Sequence, residues 1–251
     1  MAAPGFRNMA VDASLLASVA AGSPPTVRFY RWTPACLSLG RNQAANDVYD
    51  RVRAAARGFD IVRRPTGGLA VLHDIELTYA VAAPVALLGG PRSAYREIHR
   101  AIAAGLASLG ILTQLADADG NLHERGIGAA PCFASPVGGE VVVGARKLVG
   151  SAQRCERRTL LQHGSILIDG RQDRVDALRT IPAAAPLDTS VTLSELLGRA
   201  PAWDSLLRAL VRGFEQVLGV CLQPAPLEQE EQALAARLEE TYRDDAWTWR
   251  R

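Results

Sequence analysis

The chain has 251 residues, 48% of them hydrophobic and 22% charged, with a formal net charge of +2. These are the proportions of an ordinary globular domain, and the near balance of charge gives no bulk attraction to nucleic acid or to an anionic membrane. No apolar run approaches the roughly 18 residues of a membrane span, the N-terminus lacks the basic start and apolar stretch of a secretory signal, and the four cysteines (Cys36, Cys132, Cys155, Cys221) contain no C-x-x-C pair. A cytoplasmic protein with free thiols is therefore expected, without structural metal, disulfide framework or cofactor.

In chain order, Asn8 is placed to cap a helix whose apolar face carries Met9, Leu15, Leu16 and Val19, ended by the Gly-Ser-Pro-Pro stretch at Gly22 to Pro25. Thr26 to Trp32 and Cys36 to Gly40 read as strands, and Asp47 to Arg57 as a helix stopped by Gly58. Short strands follow at Phe59 to Arg63, Leu69 to Leu72 and Leu77 to Ala82. Pro91 to Leu109 is a helix with Ile98, Ile102 and Leu106 at helical spacing, and Ile111 to Leu115 a strand. Asp117 to Gly139 is a long loop rich in glycine, alanine and proline, of the length that in compact domains is usually functional or disordered. Strands return at Glu140 to Val143, Lys147 to Ala152 and Gly164 to Ile168. Thr192 and Glu195 spell a capping box before Leu196, and Trp203 to Leu218 and Leu227 to Tyr242 are helices. Mixed strands and helices followed by a helical tail define an α+β class, a mixed β-sheet packed by helices.

One compositional fact bears on chemistry. Lysine and arginine total 28, and only Lys147 is lysine. Where every other cation is arginine, a retained lysine fits a need for a compact ammonium or for an amine that can lose its proton. Chance retention on a solvated face fits as well.

Four segments concentrate chemistry-bearing residues. Arg63-Arg64-Pro65-Thr66-Gly67-Gly68 runs into Leu69 to Leu72, His73 and Asp74. A Gly-Gly turn permits positive φ and close approach of a ligand to backbone amides, and arginines beside it suit a phosphate or carboxylate. The same residues also describe a plain hairpin turn with solvated charges. The segment is neither a Walker loop, lacking G-K-[ST], nor a dinucleotide fingerprint. Gly144 to Gln153 delivers Lys147 from a turn onto a strand of small residues. Leu161 to Leu167 contains His163, which reads equally as a hydrogen-bonded structural residue. Pro131-Cys132-Phe133 lies in the long loop, where a cysteine is ordinarily just a small side chain.

Taken together, R-R-P-T-G-G-L-A-V-L-H-D, G-A-R-K-L-V-G-S-A-Q, P-C-F and L-Q-H-G-S-I-L resemble the lipoate/octanoate branch of the biotin/lipoate A/B protein ligase family. N-M-A-V-D-A-S-L-L, V-R-F-Y-R-W, L-S-L-G-R-N-Q and T-Y-R-D-D-A-W-T-W-R-R extend the likeness over nearly the whole chain. The resemblance implies the catalytic fold shared by biotin/lipoate ligases and class II aminoacyl-tRNA synthetases, over residues 24–218. Residues 1–23 would form a helix packed on it and residues 219–251 a short helical extension, with no separate accessory domain. The family's first strand is shortened here to Gly5-Phe6-Arg7, which suggests a start further upstream.

P-C-F in place of R-N-D is similar to the cysteine-dependent octanoyltransferases, and the absence of G-R-G-R-x-G-R disfavours biotin. The resemblance implies Cys132 as acyl-accepting nucleophile and Lys147 beside it, with Arg64, Gly67, Gly68, Ala70, His73, Gly150, Ser151, His163 and Gly164 around the substrate. It implies octanoyl-acyl carrier protein as donor and a lipoyl domain or glycine cleavage H protein as acceptor, handled by a monomer. At about 4 Å and an effective dielectric near 20, an ammonium and a thiolate attract by roughly 4 kcal/mol before desolvation. Backbone amides near Gly67 and Gly68 or at the Cys132 loop would receive the oxyanion, and a largely apolar pocket between sheet and helix would hold the acyl tail. Two other functions fit the same motifs: an ATP-dependent lipoate or octanoate ligase, in which Cys132 is incidental, and a non-catalytic acyl- or partner-binding homologue.

Overall fold

A computed structural model describes residues 2–116, 133, 138–181 and 190–251. Its centre is a five-stranded sheet built from β1 (Ala2–Ala3), β2 (Thr26–Trp32), β6 (Glu76–Pro84), β10 (Val149–Glu156) and β11 (Thr159–Leu167), in the order β1-β2-β6-β11-β10. β1 joins β2 in parallel, and the other pairs are antiparallel. A smaller sheet, β4-β3-β5, combines β3 (Cys36–Leu39), β4 (Asp60–Arg63) and β5 (Val71–His73), with β3–β4 parallel and β3–β5 antiparallel. A third, antiparallel sheet contains β7 (Gln114–Leu115), β8 (Val141–Val143) and β9 (Arg146–Lys147). The mixed sheets and packed helices give the α+β architecture that the element order implies.

Strand alternation sorts the central sheet into two faces. Leu77, Tyr79, Val81 and Ala83 of β6, with Leu160 and Ile166 of β11, enter a core beneath α3 (Pro91–Ala107) and α5 (Trp203–Leu218). Ala80, Ala82 and Leu161 point the other way, into a core formed with α1 (Gly5–Ala20) and α6 (Gln229–Arg243). Between these apolar ends, the second face carries Thr78, His163 and Ser165, and it is there that a cavity opens. No helix among the described residues is long and apolar enough to cross a membrane.

The helix α1 begins at Gly5 rather than after Asn8, and Pro4 occupies its cap position. Asn8 is buried one turn in, where its amide donates to the Ala3 and Arg31 carbonyls and fastens β1 to the sheet. Gly5, Phe6 and Arg7 are therefore helical, and the shortened strand is Ala2–Ala3 instead. The helix after Asn46 is shorter than its apolar spacing suggests: α2 covers Arg51–Ala56, with the Asp50 carboxylate accepting from the Arg53 amide at 2.9 Å. Thr192 caps α4 (Leu193–Leu197) by accepting from the Glu195 amide. The final short helix, α7 (Asp245–Thr248), is held on β4 by the buried Arg63, whose guanidinium donates to the Thr248, Gly40 and Gln43 carbonyls. Arg63 is thus a structural tie and not an anion ligand.

The segment Gly67-Gly68 is not a hairpin turn. Its flanking strands β4 and β5 do not pair with each other, because β3 lies between them. The segment crosses the end of β3, and Gly40, which follows β3, meets it there: a Cβ on Gly40 would run into the Gly68 carbonyl oxygen.

A second glycine contact holds the helical layer together. A Cβ on Gly105 of α3 would lie 2.7 Å from the Ala209 carbonyl oxygen and 2.9 Å from the Leu210 Cα of α5, and one on Gly213 would lie 2.5 Å from the Gly105 nitrogen. The two backbones approach too closely for any side chain. Gly213→Ala should cost about 1–3 kcal/mol by overpacking, lowering Tm by roughly 3–10 °C. Calorimetry on the two proteins under the same conditions checks this.

Candidate active site

A partly open cavity lies between the central sheet, the small sheet and Met9 of α1. Arg64, His73, Gly150, Ser151, His163 and Gly164, six of the residues implied by the motifs, line it. Ser38, Thr78 and Ser165 stand beside Met9, Tyr30, Trp32 and Val71, and the surface that the cavity exposes is mostly apolar, as an acyl tail requires.

Alternation decides which side chains enter. Val71 and His73 of β5 face the cavity, while Leu72 and the preceding Ala70 face a separate core with Leu37, Leu39 and Trp249. Ala70 is fully buried there and does not line the cavity. Ser151 is also among the lining residues. Its hydroxyl turns to the helix side of the sheet, 2.8 Å from His99 Nε2 and 2.7 Å from the Tyr79 hydroxyl. Gly164 completes that packing, since a Cβ there would lie 2.6 Å from the Gly150 carbonyl oxygen and 2.7 Å from Tyr79 Cε1.

Arg64 organises the Gly-Gly segment. Its guanidinium donates to the Gly67 carbonyl at 2.7 Å, the Leu69 carbonyl at 2.8 Å, the Ser38 carbonyl at 2.9 Å and Ser38 Oγ at 3.1 Å. Gly68 has φ +89°, a region open to glycine at no steric cost. At Gly67 a Cβ would meet nothing within 4 Å among the described residues, and neither Gly67 nor Gly68 is among the residues that line the cavity.

Lys147 is fully buried, with Nζ 2.8 Å from Glu140 Oε2 and 5.1 Å from the centroid of the Phe133 ring. Phe133 is itself buried against Val71 and Leu167. The two side chains sit over Gly150: a Cβ there would lie 2.8 Å from Phe133 Cζ and 3.3 Å from Lys147 Cε. Cys132 lies outside the described residues. Lys147, Phe133 and the cavity wall at Gly150 do come together.

Two further networks were not visible in the motifs. Asp12 of α1 receives Arg28 Nη1 at 2.6 Å, the Tyr30 hydroxyl at 2.8 Å and His163 Nδ1 at 2.9 Å, and His163 Nε2 lies 2.6 Å from Thr66 Oγ1. Burial alone would raise the Asp12 carboxyl, but Arg28, His163 and Tyr30 outweigh it and hold it below the ordinary carboxylate value. Burial lowers the His163 imidazole against the pull of Asp12, with Arg64 and His73 adding to the lowering. On the opposite wall, His73 stacks on Trp32 at 4.1 Å, with Nδ1 2.8 Å from Glu76 and Nε2 2.8 Å from Ser38 Oγ. Glu76 also accepts from Thr78 and Ser165. One sequence signal could have found Asp12: it lies three residues after Met9 and four before Leu16, a carboxylate on the apolar face of a helix. His99 has the same signature on α3, three residues before Ile102. Glu140 carried none. Among the described residues no cluster of histidine, cysteine and carboxylate side chains suits a metal.

The model of the lipoyl protein ligase A/B catalytic domain matches residues 4–215. Octanoyltransferase LipM of Kyrpidia tusciae is 39% identical over 258 residues, covering 97% of this chain and 94% of the relative. The protein of that name from Bacillus subtilis is 35% identical over 268 residues, covering 100% and 95%. Among solved structures, a lipoate-protein ligase A bound with ATP superposes with a TM-score of 0.81 at 22% identity, covering 99% of this chain and 96% of that one. A bi-partite lipoate protein ligase from Thermoplasma acidophilum gives 0.79 at 22%, covering 99% and 94%. At these identities the structural likeness speaks for the fold.

Two tests follow from the packing. Gly150→Ala must displace the Phe133 ring or the Lys147 stem, so it should lower the transfer rate by about tenfold or more, consistent with the cost of a misplaced catalytic group. Steady-state rates on protein verified as folded read this directly. His99 is held neutral by burial, with Lys147 adding, so that its pKa falls from 6.5 to about 3. Below pH 6.5 the unfolded chain binds a proton that the native chain refuses. The His99 contribution is complete above pH 6.5 and declines as pH falls toward 3, by up to about 1.4 kcal/mol per unit. Thermal melts at stepped pH should show this loss, and His99→Gln should flatten it.

Proposed function

This chain belongs to the lipoyl protein ligase A/B catalytic-domain family, and from that premise we infer that it is an octanoyltransferase working in protein lipoylation. The inference rests on full-length relatives of that name at 34–39% identity. The finer chemistry we assign is a two-step transfer through Cys132. The thiolate attacks the thioester of octanoyl-acyl carrier protein, the carrier thiol leaves, and the octanoyl group is held as a Cys132 thioester. A lysine of a lipoyl domain or glycine cleavage H protein then takes the acyl group as an amide. Thioester to amide is downhill, so no ATP enters, and a single nucleophile serving both steps implies ping-pong kinetics.

The observation that carries the assignment of site residues is the packing of Phe133, the neighbour of Cys132 in sequence, beneath the Lys147 ammonium at the Gly150 wall. A cation there favours thiolate over thiol. Because Lys147 pairs with Glu140, it acts as one half of a positioned, buried ion pair and not as an isolated charge. The Gly67-Gly68 segment, held by the cavity-lining Arg64, would supply oxyanion-binding amides once substrate is bound. Residues 24–218 are taken as the catalytic domain, with residues 1–23 and 219–251 packed on it, in a cytoplasmic monomer.

Incubation with octanoyl-acyl carrier protein without ATP, followed by intact mass spectrometry, should show one octanoyl adduct. Cys132→Ala should abolish it, while Cys36→Ala, Cys155→Ala and Cys221→Ala keep it. Lys147→Arg should reduce adduct formation by about 100-fold or more, because a planar guanidinium does not fit the space between Phe133 and Gly150. Removing the cation alone would strand Glu140 and cost about 3–5 kcal/mol, so Lys147→Met is best combined with Glu140→Gln, which should fold and remain inactive. Full activity of Cys132→Ala without ATP sinks the thioester route, and activity only with ATP, accompanied by pyrophosphate exchange, establishes a ligase instead.

A further inference from the structure

The tail that Arg63 anchors carries a charge cluster of its own. Arg250 and Arg251 are exposed, and Arg41, which follows Gly40, is half-buried beside them. Arg250 donates through Nη2 to the Arg41 carbonyl at 2.6 Å and lies over the Trp247 ring at 3.9 Å. The Arg251 carbonyl accepts from the Ala45 and Asn46 amides at 2.8 and 3.0 Å, which pins it to the same stretch. Neighbouring arginines pair with carboxylates: Arg154 with Glu156 at 2.7 Å, Arg51 with Asp245 at 2.8 Å and Arg243 with Glu239 at 3.4 Å. Arg41, Arg250 and Arg251 have no such partner among the described residues.

The three charges crowd one another. Burial lowers the Arg250 guanidinium, and Arg41 and Arg251 add to the lowering. Beneath them Arg63 is brought down to about 10, first by burial and then by Arg250 and Arg251, and its Nη2 meets no hydrogen-bond partner among the described residues. A compact anion with several oxygens relieves such crowding, because it accepts from more than one guanidinium at once. The cluster also adjoins the cavity. The Arg41 amide donates to the Thr66 carbonyl at 2.8 Å. A Cβ on Gly68, two residues further on, would lie 2.8 Å from Arg64 Nη2 and 4.0 Å from Ala152 Cβ, and Arg64 and Ala152 both line the cavity. Burial and Asp12 raise the Tyr242 phenol while Arg154, Arg41 and Arg250 oppose them, so these guanidiniums gather about that ring. Arg154 stands four residues along β10 from Gly150, about 13 Å from the wall where Phe133 and Lys147 pack.

We propose that Arg41, Arg250 and Arg251 bind the phosphate of the donor's acyl-bearing arm. The proposal rests on the reading of octanoyl-acyl carrier protein as donor. Such a carrier presents its thioester on phosphopantetheine, a phosphate followed by a long flexible chain that ends in sulfur. With the phosphate on the cluster, the chain runs inward past the edge formed by Gly68 and Ala152 and brings the thioester to the Gly150 wall. The arginines touch no reacting atom. They raise the affinity for the donor and orient its arm, and the accepting lysine, which carries no phosphate, does not use them.

The test follows loading of Cys132 by intact mass with octanoyl-acyl carrier protein, octanoyl-phosphopantetheine and octanoyl-pantetheine, which lacks the phosphate. The wild-type chain should prefer the phosphorylated small donor by about tenfold or more in kcat/KM, mostly through KM, and the preference should shrink as salt is raised. Arg41→Gln combined with Arg250→Gln should erase the preference and slow loading from octanoyl-acyl carrier protein by about tenfold. Loading from octanoyl-pantetheine, and discharge of the octanoyl-enzyme to a lipoyl domain, should stay close to wild type. Arg208→Gln combined with Arg212→Gln removes the same charge from α5, behind the other face of the central sheet, and should leave the preference intact. Equal rates for the two small donors in the wild-type chain, or a preference that survives the Arg41 and Arg250 substitutions, overturn the proposal. So does a loss confined to the carrier protein, which marks an acidic protein face instead of the phosphate, and so does an equal loss in discharge to the lipoyl domain. The comparison of small donors on the wild-type chain needs no variant and decides the matter if the double variant does not fold. If no donor gives a Cys132 adduct, it is the donor reading that falls, and this proposal with it.

Discussion

A guanidinium sealed from water must place its donors on oxygen or pay heavily in desolvation. Arg64 meets this requirement by binding three backbone carbonyls and one hydroxyl drawn from two separate stretches of chain. Those bonds fix the end of β3 to the Gly67–Leu69 segment and so fix one wall of the cavity. Arg63 directs Nε and Nη1 the opposite way, outward to Thr248 and the Gly40–Gln43 stretch, which brings the chain's last helix onto the same sheet. Two adjacent arginines thus face opposite sides of the strand end, one shaping the site and the other anchoring the scaffold behind it.

The central sheet divides labour in a similar way. On one face, residues of β6 and β11 are closed beneath α3 and α5, where glycine contacts bring helix backbones together. On the other, hydroxyls, imidazoles and carboxylates are collected around a cavity whose rear is sealed by α1. A one-residue slip of β11 would exchange His163 and Ser165 for Gln162 and Gly164. The antiparallel register of β6, β11 and β10 is thus a condition for the chemistry as well as for the core.

Much of this was legible in the sequence where local periodicity and burial agree. Thr26–Trp32 and Trp203–Leu218 coincide in sequence and structure, because alternation and 3.6-residue spacing directly express one buried face. The start of α1 and the extent of α2 were not legible. A buried Asn8 that ties β1 to the sheet looks, in sequence, like a helix cap, and only tertiary contacts distinguish the two uses. The Gly67-Gly68 segment looked like a hairpin because nothing local reveals that β3 inserts between its flanking strands. At the site, the glycine and lysine motifs marked the right region, while their partners escaped. Glu140 precedes Lys147 by a turn and two short strands, and Asp12 lies 151 residues from His163. Such pairs are set by the fold, and no spacing rule encodes them.

The contact between Gly40 and Gly68 constrains how this sequence can diverge. When two side chains clash, a second substitution can make room for the first. Here the atom that a Cβ on Gly40 would strike is the Gly68 carbonyl oxygen, part of the main chain. No change of residue at position 68 removes it, so a replacement at Gly40 has no compensating partner. The only escape is to move the backbone that Arg64 grips. The glycine after β3 is therefore isolated in sequence space: it should remain fixed while positions around it drift, although it touches no reactant.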